Sequence, residues 1–297
     1  MKKVVFIINP RSGNGYGEEI GKKIEELIPS LPYESEILYT KRKNDAKEFA
    51  SRYFKSDDVV ILAVGGDGTM NEVLNGIHAG VTMGIIPSGS GNDFFRMIDP
   101  KISDIKELVK ATINGRVEYV DYGIVNGSKF LDSFSIGLDA AIAYKAKDIQ
   151  MKNPKVRKSA YLRAILSEIF HNGIFNVHYE DSSIHVNQSC LLISALNGKY
   201  YGGGFKPTPD ANYQDGMLDI NIIEGMTTSR MISLVPIYMK GKHYGCKEVI
   251  STLSNRFTLT CDKEVAAQID GELFMGSIFD VQVVQQGLPI LIAKGKE

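Results

Sequence analysis

The run Val59–Val64 followed by Gly65-Gly66-Asp67-Gly68-Thr69-Met70-Asn71-Glu72 constrains this chain more than any other stretch. Its first part has the length and β-branched content of a buried strand. The next residues along the chain, Val73-Leu74-Asn75-Gly76-Ile77, read as a helix. Glycines packed into a strand-to-helix turn let backbone N–H groups approach an anion without interference from Cβ, and the helix N-terminus adds partial positive charge. Asp67 lies inside that turn, where phosphates would repel it unless a divalent cation stood between them. Strand, turn, acid, hydroxyl and helix together predict a phosphate-handling element on a parallel sheet.

At 297 residues the chain is long enough for two domains or one large one. Its 34 basic and 35 acidic residues nearly cancel, which removes any global attraction to nucleic acid. The apolar run Val4–Ile8 breaks at Asn9-Pro10, too early for a secretory core or a membrane span, and no other stretch is long enough to cross a bilayer. Cys190, Cys246 and Cys261 are widely spaced and lack metal-ligand spacing, so free thiols in a reducing compartment are expected. The histidines are scattered without ligand spacing and are assigned no role. These features predict a soluble, cytoplasmic protein.

Residues 1–124 alternate strand and helix patterns. Val4–Asn9, Tyr33–Thr40, Val59–Val64 and Thr82–Ile86 read as strands. Gly17–Leu27, Asp45–Phe54 with Asn44 as N-cap, and Ile102–Asn114 with Asp104 in its first turn read as helices. This order argues for an α/β domain with a parallel sheet, whose ligands bind at the carboxyl ends of the strands. From residue 125 to 297 short alternating runs dominate: Phe175–Tyr179, Ser183–Val186, Cys190–Leu196, Leu218–Ile223, Phe257–Cys261, Val265–Ile269 and Phe279–Val284. They predict an antiparallel β-rich domain. Its last strand is a candidate to return to the first domain. Apolar stripes over Tyr161–Phe170 and Met231–Tyr238 read as core-facing helices.

Two further turns come after strands of the first domain. Asn9-Pro10-Arg11-Ser12-Gly13 follows the first, and Pro87-Ser88-Gly89-Ser90-Gly91-Asn92-Asp93-Phe94 follows the fourth. With Gly65–Asn71 they describe a cradle for a polyphosphate. The cradle has no P-loop and no protein-kinase signature, and no dinucleotide fingerprint or Gly-x-Ser-x-Gly elbow occurs.

Gly65–Glu72 with Gly76, the Asn-Pro-x-Ser-Gly form of Asn9–Gly13, and Pro87–Phe94 resemble the diacylglycerol kinase catalytic domain, a family that includes sphingosine and ceramide kinases and soluble bacterial lipid kinases. The resemblance continues through Ser135–Ala140, Asn197-Gly198, Gly202–Phe205, Asp215–Asp219 and Asp270-Gly271-Glu272, in order and over nearly the whole chain. It implies an α/β nucleotide domain and a β-rich lipid domain, with the active site in the cleft between them. It also implies Mg2+-ATP as phosphoryl donor and a lipid hydroxyl as acceptor, diacylglycerol being the default.

Carried over by position, Asn9, Pro10, Arg11, Ser12, Gly13, Thr40, Gly65, Gly66, Asp67, Gly68, Thr69, Met70, Asn71 and Ser90 would hold the nucleotide, with Asp67 acting through magnesium. Glu272 falls at the family's general base. Asp215 falls at a structural magnesium site, completed by backbone carbonyls of Asn212 and Met217. Ser90 stands where many relatives have threonine. Without the resemblance Glu272 reads as a solvated turn carboxylate and Asp215-Gly216 as an ordinary turn. An NAD kinase-like phosphotransferase, or a non-catalytic nucleotide or lipid sensor, is the alternative reading. Partners expected are a lipid at the membrane surface, through peripheral and transient contact, and a second copy in a homodimer. The basic run from Lys145 to Arg163 reads either as a solvated face or as a patch for anionic lipid.

Overall fold

The computed structural model describes residues 3–89, 91–152, 163–165, 167–168, 173–202 and 204–294. Strands β1 (Lys3–Ile8), β2 (Glu34–Tyr39), β3 (Val59–Gly65) and β4 (Thr82–Pro87) pair in parallel in the order β4-β3-β1-β2. The continuous apolar runs of β1, β3 and β4 follow from burial on both faces, whereas the edge strand β2 stays partly exposed. Val4, Phe6 and Ile8 pack with Ile20 and Ile24 of α1 (Tyr16–Leu27) and with Leu108 and Val109 of α5 (Ile105–Ile113). Val5 and Ile7 share the opposite layer with Ala46 of α2 (Asp45–Ala50) and with Val73 and Leu74 of α3 (Asp67–Gly76). A short helix, α4 (Asp93–Ile98), follows β4.

The second half is antiparallel. Strands β5 (Arg116–Val125), β6 (Ser128–Phe130), β7 (Ser133–Gly137), β8 (Phe175–Asp181), β9 (His185–Leu196), β10 (Leu218–Glu224), β12 (Arg256–Ile269) and β13 (Glu272–Ile292) enclose one core, which includes Phe134, Phe175, Phe257 and Phe279, and β11 (Val249–Ser254) pairs with β10 outside it. Helices α6 (Leu138–Lys152) and α7 (Thr228–Tyr238) cover a second apolar layer. The alternation of buried and exposed residues along β8 is the signature of a strand with one wet face.

The parallel and antiparallel parts are hydrogen-bonded into one ladder rather than forming separate sheets. Strand β13, 21 residues long, pairs with β12 at its start and sets Ile290 and Leu291 parallel to Met83 and Gly84 of β4 near its end. Along its length it also pairs with β5.

Several boundaries differ from the sequence reading. Helix α2 stops at Ala50, and Asn44 adopts a left-handed conformation (φ 71°) without capping through its side chain. The Glu72 carboxylate substitutes for that cap, accepting from the amides of Asn44 and Ala46. Helix α5 starts at Ile105, because Asp104 is its N-cap and accepts from the Glu107 amide at 2.8 Å. The run Cys190–Leu196 and the end of Ser183–Val186, from His185 on, belong to one strand, with Ser183 and Ile184 in the turn before it. Phe257–Cys261 and Val265–Ile269 also belong to one strand, across a register shift. Half of the predicted helix Tyr161–Phe170, and residues 153–162 of the basic run, lie outside the described residues.

Candidate functional site

The three glycine-bearing turns leave β1, β3 and β4 at the same edge and are bonded to one another. Asn9 Nδ2 donates to Thr69 Oγ1 at 3.2 Å, and the Ser12 and Ser88 hydroxyls lie 2.5 Å apart. Gly13 has φ 58°, and a Cβ there would stand 2.1 Å from the Ser88 carbonyl oxygen, so only glycine fits. Beneath them opens a cavity of about 550 Å³, within the roughly 300–1,000 Å³ range of small-molecule sites. Asn9, Arg11, Ser12, Gly13, Thr40, Gly66, Asp67, Gly68 and Thr69 line it. Pro10, Gly65, Met70 and Asn71 do not reach its wall, and Ser90 lies outside the described residues.

Asp67 faces two ways. It lines the cavity, yet its carboxylate also accepts the Asn92 and Asp93 amides, each at 2.9 Å, and so ties the second turn to the third. Burial first, then the neighbouring Asp93 and Asp270 charges, push its carboxyl up to about 6. Behind it Asp93, Asp132, Asp139 and Asp270 line a smaller pocket of about 150 Å³. Asp132 is held well above the ordinary carboxylate range by burial and by its acidic neighbours.

The opposite cavity wall is the tip of the β12–β13 hairpin. Ile269 pairs with Glu272, leaving Asp270 and Gly271 as a two-residue loop with φ 46° and 84°. Both angles are positive, as a type I′ hairpin turn requires. No atom outside its chain neighbours would touch a Cβ on Gly271, so that glycine serves the turn's dihedral angles. Asp270 anchors the turn by accepting the amides of Leu131, Asp132 and Ser133 and the side-chain amide of Asn71. The anchored turn aims Glu272 at α3, and its Oε1 lies 3.6 Å from where a Cβ on Gly68 would stand.

The loop between β2 and α2 adds Lys41, Arg42 and Lys43 to the rim. Asp45 holds it from one side, accepting the Lys41 and Arg42 amides, while Glu72 holds Asn44 from the other. Lys43 Nζ pairs with Glu272 Oε2, which raises the Lys43 pKa. Cations from this loop and from Arg11 therefore surround a cavity floored by glycine turns, a geometry suited to a polyphosphate. Sequence reasoning missed the Lys41–Lys43 rim, Asp93 and Asp132. A basic tripeptide after a strand at the ligand-binding edge was the available signal for the first.

Asn212, Asp215 and Met217 lie in the loop before β10, outside the residues that line this cavity. Asp215 Oδ1 accepts the Met217 amide, and Asn212 Oδ1 accepts the Gln214 amide. Burial and the charges of Asp215 and Asp210 push Asp219 up to about 6. This clustering of carboxylates is one that a hard cation would relieve. Among the described residues, no three His, Cys, Asp or Glu side chains are arranged to hold one metal ion. A magnesium ion here would rest on one carboxylate, backbone carbonyls and water, a donor set that suits it.

Residues 3–125 match the diacylglycerol kinase catalytic domain, and residues 132–292 match the YegS C-terminal NAD kinase beta sandwich-like domain. The chain is 26% identical over 276 residues to the diacylglycerol kinase of Bacillus subtilis (strain 168), covering 92% of this chain and 90% of that protein. It is 27% identical to the diacylglycerol kinase of Staphylococcus haemolyticus (strain JCSC1435), covering 92% and 83%. Its fold is similar to a crystal structure of a diacylglycerol kinase from Bacillus anthracis str. Sterne, with TM-score 0.70 at 22% identity over 98% of this chain and 97% of that one.

Proposed function

The chain belongs to the diacylglycerol kinase catalytic-domain family of lipid kinases, and from that premise we propose that it transfers the γ-phosphoryl group of Mg2+-ATP to a lipid hydroxyl, with diacylglycerol as the default acceptor. The observation that carries this reading is that Glu272 and the Gly66–Thr69 turn share one cavity. Phosphoryl transfer needs positioning and charge neutralisation more than covalent catalysis. Asn9, Arg11, Ser12, Gly13, Thr40 and Gly66–Thr69 would hold the phosphates, with the rim cations offsetting their charge.

Glu272 takes the acceptor hydroxyl proton as the new P–O bond forms and the bond to the leaving ADP oxygen breaks. Magnesium, when bound near Asp67, supplies charge neutralisation at the transferring phosphoryl group. The Asp215 loop, with carbonyls of Asn212 and Met217, is proposed to hold a second, structural magnesium. On this reading residues 1–124 form the nucleotide half and 125–297 the lipid half, the site lying in the cleft between them. No helix among the described residues is long and apolar enough to cross a membrane, so the lipid would be met by peripheral contact.

The test is direct. Purified protein with γ-labelled ATP, magnesium and dispersed diacylglycerol should yield labelled phosphatidic acid, with NAD run in parallel as acceptor. Phosphorylation of NAD alone would move the assignment to a nucleotide kinase. ATP binding without turnover of any lipid hydroxyl would make the protein a sensor.

A further inference from the structure

Glu272 and Lys43 line a second cavity as well as the phosphate cavity. This groove of about 450 Å³ runs between Lys47, Asn71 and Asn75 on one side and Leu273, Phe274 and Met275 of β13 on the other. Its amide side chains are already satisfied by protein. Asn71 donates to the Lys129 carbonyl and to Asp270, Asn75 exchanges bonds with the Lys129 backbone, and Asn126 exchanges them with Ile278 and Asp280. These three amides are thus occupied, and the groove's remaining charge lies in Lys43, Lys47, Glu72 and Glu272, facing the apolar wall of β13. Met275 is 51% exposed, and farther along β13 Ile278 is 64% exposed, although apolar side chains of this size are usually covered.

We infer that this groove seats the acyl portion of the acceptor lipid, and that Met275 and Ile278 form the sill that meets the bilayer. The inference rests on Glu272 being the base, because the hydroxyl must reach that carboxylate from somewhere other than the phosphate cavity. Two openings offer themselves. The pocket on the Asp67 side holds about 150 Å³ behind five aspartates, Asp67, Asp93, Asp132, Asp139 and Asp270, and is too small and too acidic for a hydrocarbon chain. The groove has the volume, the apolar wall and direct continuity with Glu272. Lys43 and Lys47 at its border suit an anionic lipid surface.

The experiment compares wild type with Met275→Glu and Ile278→Glu, and with Leu253→Glu as a control, an exposed apolar residue of β11 that does not line the groove. Flotation with vesicles of phosphatidylcholine and phosphatidylglycerol, with and without dioleoylglycerol, reads binding without needing catalysis. Kinetics on dioleoylglycerol in vesicles and on water-dispersed dihexanoylglycerol read the acyl-chain contribution. Met275→Glu and Ile278→Glu should each cut vesicle binding, and should raise KM for dioleoylglycerol about tenfold more than for dihexanoylglycerol. Leu253→Glu should do neither.

Vesicle binding and chain-length preference equal to wild type in both groove variants would overturn the inference. So would an equal loss in Leu253→Glu, or conversion of a dimer to a monomer with vesicle binding intact, which would make the sill a contact between copies. If wild type phosphorylates no lipid but floats with vesicles through Met275 and Ile278, the kinase reading fails while the membrane-facing sill stands.

Discussion

Lys43 Nζ lies 2.5 Å from Glu272 Oε2, joining the loop after β2 to a hairpin turn 229 residues away. The pair spans the mouth of the phosphate cavity, so any anion entering there competes with Glu272 for Lys43. A phosphate that draws the ammonium away would leave the carboxylate free for the acceptor hydroxyl.

Lys43→Met should therefore weaken ATP binding more than it disturbs the fold. With one rim cation gone, the Kd for ATP should rise by roughly two- to fivefold while the melting temperature stays near wild type. Side-chain exposure of 68% and 42% for the pair keeps its contribution to stability small. Isothermal ATP titration and a thermal melt check it, and an unchanged ATP affinity would remove Lys43 from phosphate binding.

Glu272→Gln and Asp67→Ala should fail differently. The first keeps shape but loses the proton acceptor, so turnover should drop roughly 10²–10⁴-fold with ATP affinity and melting temperature near wild type. The second also strips the Asn92 and Asp93 amides of their acceptor, so stability should fall by roughly 1–3 kcal/mol along with activity and ATP affinity. Turnover, isothermal ATP titration and thermal melts on both variants distinguish the cases. Near-normal turnover in Glu272→Gln would send the acceptor proton elsewhere.

Chelation tests the loop before β10. If Asp215 helps to hold a structural magnesium, EDTA should lower the melting temperature of the wild type and have much less effect on Asp215→Asn, whose stability should already be reduced. Equal responses in both proteins would remove the ion from that loop.

Asp139 provides a pH-dependent stability term outside the phosphate cavity. Burial holds its carboxyl up at about 6, against an ordinary 3.8, despite bonds from the Ser135 hydroxyl and the Ala140 amide. The folded chain thus binds the proton more tightly than the unfolded one. The penalty is absent below about pH 4, grows as pH rises, and is complete above about pH 6, where it amounts to at most about 3 kcal/mol. Asp139→Asn keeps an acceptor oxygen and should raise the melting temperature above pH 6, with little gain at pH 4. Melting curves across that range would show no convergence if the shift were absent.

The parallel half was legible in the sequence because strands buried on both faces leave unbroken apolar runs, as in Val4–Ile8 and Val59–Val64. Strand β5 escaped notice since its ten residues mix Glu118, Asp121 and Gly123 among exposed apolar positions, which blurs the period. Strand β13 is legible only over Phe279–Val284, because Gly276, Gly287 and Pro289 look like interruptions. In the fold they are carried inside one long, irregular ladder that shifts register between Val284 and Leu288. Within the site, the glycine turns announced themselves through local chemistry. Lys43 beside Glu272, and Asp132 beside Asp67, did not, since each partnership exists only after distant segments have folded together.

Strand β13 also sets the order in which a growing chain can finish folding. Leu288, Ile290, Leu291 and Ile292 complete both apolar layers around the parallel strands, and β4 has no partner along that edge until Ile290 and Leu291 arrive. During synthesis the first hundred or so residues therefore wait, with an open strand edge and incomplete cores, for Leu288–Ile292 to leave the ribosome. Contacts of that sequence separation slow folding, and a nascent chain stalled before Leu288 would be a natural client for chaperones.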